Sequence, residues 1–380
     1  MMAAAEPRQR PPDAKLMVID ERGSITHVRR ASLDACLRAG DVVVANDATA
    51  LPASLRGVHA RTGCLIEVRL AGRRSLDEVH DFTAVVFGAG DFHARTEDRP
   101  APPWLSPGDR LTLGPLSATI ARLLTHPRLV DLHLDGPADA IWAGLARHGR
   151  PIQYAYVPVT LELWDAWSPV AGRPVAFEAP SAGFALDWHM VERIRSRGAA
   201  FATVTHTAGI SSTGDVDLDR MLPFDEPYRI SEATAAAVES ARARGNRVIA
   251  IGTTVVRALE HAAIQDGHVH AGDGLATQRI GPGSRLRVVD AILTGVHEAG
   301  TSHYELLRAF ADAGTLVRAE RELEDMGYRT HEFGDSVLIE KRQAAYEPGP
   351  TSTTQYWTDC RAKPIRIKPT PTTPIVFAGT

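Results

Sequence analysis

The stretch Arg247-Val-Ile-Ala-Ile-Gly252-Thr253-Thr254 sets the tightest limit on what this chain folds into. Val248 to Ile251 are all apolar and three of the four are β-branched, so they read as a short strand buried on both faces. Gly252 stops the run. Thr253 and Thr254 then open a helical pattern from Val255 to Ala263, with Arg257 and Glu260 on its polar side. A strand, a small-residue turn and a helix present backbone N–H groups and hydroxyls to an anionic or carboxylate-bearing ligand. The same pattern also serves as a plain βα turn with a threonine cap.

The motif recurs. Val42-Val-Val-Ala45 is a second buried strand, and Asn46-Asp47 leaves it where α/β proteins place their ligands, although Asx residues there also cap ordinary turns. Val175-Ala-Phe-Glu runs into Ala179-Pro-Ser181-Ala-Gly183, and Phe201-Ala-Thr-Val-Thr runs into His206-Thr-Ala-Gly209. Leu286-Arg-Val-Val-Asp290-Ala-Ile-Leu-Thr294-Gly-Val-His297 ends the series. These strand ends, rich in hydroxyls, histidine and glycine, are expected to converge on one crevice.

Between residues 58 and 150 the texture changes to short alternating segments such as Leu65–Leu70, Phe82–Phe87 and Val130–Leu134, separated by Gly, Pro and charged clusters. Period-2 strands at this spacing predict a small antiparallel barrel inserted into the α/β domain. The expected fold is therefore a mixed-sheet α/β domain (15–57 and 151–345) carrying an inserted antiparallel β-barrel (58–150). A disordered leader (1–14) precedes it, and a Pro/Thr-rich basic tail (346–380) follows. The segment Pro151-Ile-Gln-Tyr154-Ala-Tyr156-Val-Pro, with Trp164 and Trp167 nearby, is dense enough in aromatics to stack on a base or to fill a core.

With 380 residues, 44% apolar and 23% charged, the chain reads as a two-domain globular protein, with no apolar run of membrane-spanning length. Three scattered cysteines argue against a disulfide framework and point to the cytoplasm. A formal net charge of −4 gives no global attraction to nucleic acid and leaves a local basic patch open. Phosphate-loop, zincin, nucleophile-elbow and dinucleotide fingerprints are missing, as is Cys/His metal spacing. That leaves His206 and His297 as proton-transfer groups, Asp47, Glu226, Asp290 and Asp335 as carboxylates, and Asn46, Ser181, Thr253 and Thr254 as positioners.

The order of these motifs resembles the S-adenosylmethionine:tRNA ribosyltransferase-isomerase family of the queuosine pathway over roughly residues 15–340. The resemblance rests on Asp41-Val-Val-Val-Ala-Asn46, Leu51-Pro-Ala-Ser-Leu-Arg-Gly57, Ser106-Pro-Gly-Asp-Arg110, Ala179-Pro-Ser-Ala-Gly183 and Val204-Thr-His206. Arg247 to Thr254 with Arg257 and Glu260, Val288 to Ala291 with Thr294 and His297, and Phe333-Gly-Asp335 complete it. It implies an α/β domain with an inserted barrel. It implies ribosyl transfer from S-adenosylmethionine, as co-substrate and without a metal, onto the aminomethyl group of a 7-deazaguanine in tRNA. Adenine and methionine leave, and the ribose becomes an epoxycyclopentanediol, giving epoxyqueuosine. Such chemistry needs a base beside the sulfonium, an acid for the departing adenine and donors for the methionine carboxylate. On this resemblance His206 and His297 form the acid/base pair with Glu226 and Asp290 as partners. Asn46, Ser181, Gly183, Gly252, Thr253, Thr254, Arg257 and Thr294 line the S-adenosylmethionine site.

The chain departs from the family pattern at several ligand-facing positions. Asn-Asn-Thr-Arg is Asn46-Asp47-Ala48-Thr49 here, and Pro-Thr-Ala-Gly-Leu-His-Phe is Pro180-Ser-Ala-Gly-Phe-Ala185-Leu. His-Val-Gly-Ala-Gly-Thr-Phe is His206-Thr-Ala-Gly-Ile-Ser-Ser212, Met-His-x-Glu is Pro223-Phe-Asp-Glu226, and Thr-Asn-Phe-His is Thr294-Gly-Val-His297. Two alternatives follow: a paralogue acting on a free small acceptor such as a 7-deazapurine, or a non-catalytic RNA- or nucleoside-binding protein on the same fold. The sequence leaves the oligomeric state open.

Overall fold

The computed structural model describes residues 1–342; the basic tail expected over 346–380 lies outside the described residues. Nine strands form one mixed sheet in the order Gly272–Ala276, Glu226–Ile230, Ala200–His206, Val42–Asn46, Val248–Ile251, Ala291–Gly295, Ser336–Glu340, Lys15–Ile19, Ile25–Arg29. Ala200–His206, Val42–Asn46, Val248–Ile251 and Ala291–Gly295 are mutually parallel. The two strands read as buried on both faces thus lie at the centre, with every residue buried.

Their alternation supplies two cores. Val42, Val44, Val248 and Ala250 face one, with Val238, Val256 and Leu259 of the helices Glu232–Ala243 and Thr253–Ala262. Val43, Ala45, Ile249 and Ile251 face the other, with Met190 and Ile194 of the helix Trp188–Ser196, which Asp187 caps by accepting from the Met190 N–H at 2.6 Å. Helices on both faces are what a parallel centre requires.

Six antiparallel strands close a barrel in the order Leu116–Leu123, Leu129–Leu134, Asp81–Phe87, Leu65–Gly72, Ser54–His59, Arg110–Leu113. Inward residues such as Leu55, Val68, Val86, Ile120 and Leu132 fill it, and Ile141 and Leu145 of the helix Ala138–His148 pack against them. The barrel begins earlier than expected, because Leu51 to Gly57 does not merely lead out of the sheet. Ser54–His59 is its first stave, and Gly57 allows the closure: a Cβ there would stand 2.1 Å from the Thr112 carbonyl oxygen.

The leader is built into the fold rather than disordered. Met2–Ala3 pairs with Arg329–Thr330, Ala4 is buried, and Gln9 Nε2 donates to the Asp165 and Trp167 carbonyls at 2.9 and 2.8 Å. Backbone pairing at one end and a doubly bonded amide at the other offset the entropy of ordering a short polar segment.

Candidate functional site

The carboxyl ends of the four parallel strands lie side by side, as the recurring motif implied. Asn46, His206, Gly252 and Gly295 therefore share one edge of the sheet. The Val175 segment is different: Arg173–Ala176 pairs with Ala48–Ala50 outside that sheet. Above the edge lies a cleft of about 680 Å³, lined by Tyr154, Tyr156, Glu178, Ser181, His297, His303, His331 and Glu332. Arg95, Thr96 and Glu97, from the barrel loop between Asp81–Phe87 and Arg110–Leu113, close its other side.

Two tyrosine–carboxylate pairs dominate the cleft. The Tyr154 hydroxyl donates to Glu178 Oε1 at 2.5 Å and the Tyr156 hydroxyl donates to Glu332. The rings of Tyr154 and Tyr156 stack at 5.9 Å, and Tyr156 stacks on His331 at 3.9 Å. Burial raises the Glu178 carboxyl to about 7 against the stabilising Tyr154 hydrogen bond, and the nearby Glu332 adds to the rise. Burial likewise pushes both tyrosine hydroxyls well above their usual range, so they stay protonated donors. A carboxyl group with both protonation states populated at neutral pH suits proton transfer in either direction.

Opposite them, His297 and His303 stack at 4.8 Å. Burial, then the neighbouring histidines, holds His297 well below the usual imidazole value. Burial, then the Arg257 charge, lowers His303 to about 4. Both are neutral at physiological pH, and His297 Nε2 shares a hydrogen bond of 2.6 Å with the Thr294 hydroxyl. His331 holds a positive φ of 69°, a conformation a non-glycine residue adopts at some cost, and its ring lies flat on Tyr156.

Of the residues expected at the site, His297 and Ser181 line the cleft, and Thr294 holds His297 from below. The rest of the expected binding residues occupy a supporting layer. The Asn46 amide donates to the His206 carbonyl (2.9 Å) and Thr254 Oγ1 (3.3 Å), and its oxygen accepts from the His206 and Ala48 N–H groups (both 3.0 Å). That set uses the amide's hydrogen-bonding capacity and leaves none for a ligand. Gly252 takes φ 96° ahead of the helix Thr253–Ala262, and a Cβ there would meet Ala182 Cβ at 3.3 Å, so it lets the Ser181 turn sit close. Gly183 similarly admits Ser168, whose Cβ would stand 3.1 Å from an added Cβ.

Three expected catalytic residues have other duties. Glu226 forms a buried ion pair with Arg257 and accepts from the Gly209 N–H at 2.6 Å. Arg257 also donates to the carbonyls of Phe224 (3.1 Å), Ala276 (2.9 Å) and Gln278 (3.3 Å), so it is spent on the fold and does not line the cleft. His206 is fully buried, 3.5 Å from Glu226 Oε2 without hydrogen-bond geometry. Burial and then the Arg257 charge hold it well below the usual imidazole value. Asp290 precedes the strand Ala291–Gly295 and so sits at its amino end, about 17 Å from the carboxyl edge at 3.3 Å per residue. There it accepts from the Val248 N–H at 3.0 Å and meets Lys341 Nζ at 3.1 Å.

Glu178, Glu332, His303 and His331 were not among the expected site residues. Glu178 directly follows the strand-like Val175–Phe177, and His331-Glu332 directly precedes Phe333-Gly-Asp335. Polar residues abutting recognised segments were the available signal. Among the described residues no group of three or more His, Cys, Asp or Glu side chains gathers to hold a metal ion, and no helix is long and apolar enough to cross a membrane.

Fold and cleft together define an α/β protein whose candidate site lies where parallel strands end, roofed by the rim of a barrel. The model of a family described as queuosine biosynthesis protein matches residues 1–339, and the chain belongs to that family. It is 33% identical over 369 residues to the S-adenosylmethionine:tRNA ribosyltransferase-isomerase of Sorangium cellulosum, covering 89% of this chain and 95% of the relative. The protein of the same name from Moorella thermoacetica is 31% identical over 350 residues, with 87% and 94% covered. A solved structure, the S-adenosylmethionine tRNA ribosyltransferase of Thermotoga maritima, aligns over 89% of this chain and 95% of its own at 22% identity and a TM-score of 0.46.

Proposed function

We propose that this chain transfers and isomerises the ribosyl group of S-adenosylmethionine onto a 7-aminomethyl-7-deazaguanine in tRNA, forming epoxyqueuosine and releasing adenine and methionine. The observation that carries the reading is Glu178: a half-buried carboxyl poised near 7, in an aromatic cleft at the sheet edge of a queuosine-family chain. Tyr154, Tyr156 and His331 offer flat surfaces for a purine, and Glu178 and Glu332 offer acceptors for a sulfonium or ammonium group. Glu178 in its ionised form removes the proton beside the sulfonium, and the tyrosine hydroxyl at Oε1 steadies it. His297, neutral and held by Thr294, faces the same space and relays a proton to the departing adenine. Asn46, Gly252, Thr253, Thr254 and the Arg257–Glu226 pair hold the sheet edge and the Ser181 turn in register beneath it.

The test is a mass-spectrometric assay for adenine and methionine formed from S-adenosylmethionine, with bulk tRNA lacking queuosine or with the free 7-deazapurine. Release that requires tRNA, with the ribosyl carbons appearing in the RNA, is expected. Release with the free base alone would assign a small-molecule acceptor. Binding of S-adenosylmethionine without release of either product would make the chain non-catalytic.

A further inference from the structure

A second surface has the chemistry of an RNA contact, and it is assembled by the segment the sequence left undecided between stacking and core. Trp164 and Trp167, 67% and 40% exposed, border an open hollow of about 520 Å³ together with Arg8, Gln9, Arg10 and Asp165. The indole edge of Trp167 is anchored, its Nε1–H donating to the Ala50 carbonyl at 3.2 Å, while its ring is left partly uncovered.

The leader supplies the charge. Gln9 clasps the Asp165 and Trp167 carbonyls, and its own carbonyl accepts from Arg30 at 2.6 Å, so the residues on either side are held against the tryptophans. Arg10 reaches the carbonyls of Phe184 (3.5 Å) and Leu186 (3.2 Å) and forms no ion pair with a carboxylate among the described residues. Arg8 is exposed and forms no ion pair among the described residues. Asp165, the one carboxylate among the described residues lining the hollow, is turned to the Glu162 N–H at 2.9 Å.

Exposed indoles beside guanidinium groups that are not tied up in ion pairs form a platform for stacked bases flanked by phosphates. The position fits as well. Tyr154 and Tyr156 line the cleft and Trp164 lies eight residues beyond Tyr156, so the two surfaces are separated by at most roughly 29 Å of extended chain. A polymer whose reacting base enters the cleft has neighbouring unpaired nucleotides within that reach, whereas a free base has none. A chain of net charge −4 also needs a local cationic patch to hold RNA at all.

We infer that the hollow formed by Arg8, Arg10, Trp164 and Trp167 binds unpaired nucleotides of the RNA acceptor outside the reacting base. The inference rests on the tRNA reading of the cleft and deepens it, assigning to the leader and the Leu163–Ala166 turn a share of acceptor recognition.

The test compares the wild type, Trp164→Ala and Arg8→Gln for binding of fluorescein-labelled tRNA lacking queuosine across a potassium chloride series. Calorimetric titration with S-adenosylmethionine and sedimentation analysis run alongside. Trp164→Ala is expected to weaken tRNA binding about tenfold, the scale of one lost stacking contact. Arg8→Gln is expected to lower the slope of log affinity against log salt by about 0.7, one phosphate contact on a single strand. Both should bind S-adenosylmethionine as the wild type does. Wild-type tRNA affinity and salt slope in both variants overturn the inference while leaving the cleft reading intact. So does a change of oligomeric state in Trp164→Ala at unchanged tRNA affinity, which would make the hollow a protein contact. A wild type that binds no tRNA at all removes the tRNA reading itself, and this surface with it.

Discussion

Glu178 and His303 titrate in opposite senses on folding, and their separate contributions are measurable. The Glu178 pKa rises from 4.5 to about 7 on burial, so its neutral form stabilises the fold fully below 4.5 and that stability is lost as pH rises through about 7. His303 falls from 6.5 to about 4, so its contribution is complete above 6.5 and is lost as pH falls through about 4. The two slopes oppose each other between about 4.5 and 6.5 and largely cancel in the wild type. Glu178→Gln keeps an acceptor for Tyr154 and removes the alkaline penalty. Urea melts should show it more stable than wild type by roughly 3 kcal/mol at pH 8, and no gain at pH 4. His303→Gln should flatten the acid limb by a similar amount. Equal pH profiles in all three proteins would mean that neither group titrates in a buried site.

Most of the cleft's chemistry was hard to read from residues taken singly. His297, Thr294 and Ser181 stood next to recognised strands, and they are in or directly under the cleft. His206 and Glu226 stood in equally good positions on the chain, yet the Arg257 guanidinium claims Glu226 and the core closes over His206. Whether a strand-end side chain turns into a cleft or into a core depends on what packs above it, here a barrel loop and the 154–156 segment. No local pattern carries that information. Glu178 and Glu332 are held in the cleft by Tyr154 and Tyr156, which are distant from them in the chain.

At the level of elements, Arg257 and Glu226 fasten the helix Thr253–Ala262 to the strand Glu226–Ile230 through a pair that has almost no access to water. Arg257→Met strands a buried carboxylate and should cost about 3–5 kcal/mol in chemical denaturation. Adding Glu226→Gln, which can still accept from the Gly209 N–H, should recover most of that loss. A double variant no more stable than Arg257→Met would mean that the pair is not what holds these elements together. Central strands were legible because residues 42–45 and 248–251 have no polar face to offer, and such apolar runs belong inside a sheet. The barrel was legible from its period-2 segments but its first stave was not, since Gly57 breaks the pattern at the place where the strands approach most closely.

On the scale of the whole molecule, the barrel is fastened to the segment entering the cleft as well as forming the roof. Arg73 from the barrel side donates to the Val175 carbonyl at 2.7 Å, three residues before Glu178. The leader adds a second tie from the other side through Gln9 and Arg30. Cleft and outer hollow thus share the 151–169 segment, and a large acceptor spanning both would be read by elements that are far apart in sequence. The proposed chemistry turns on Glu178 being the proton-transfer group of that cleft. The most direct measurement is single-turnover transfer from ribosyl-labelled S-adenosylmethionine to tRNA lacking queuosine by the wild type and by Glu178→Gln at equal occupancy of both substrates. Loss of transfer by a factor of about 10²–10⁴ in the variant, read with both substrates saturating, is the predicted result. Transfer at the wild-type rate by Glu178→Gln would contradict it and place the chemistry elsewhere in the molecule.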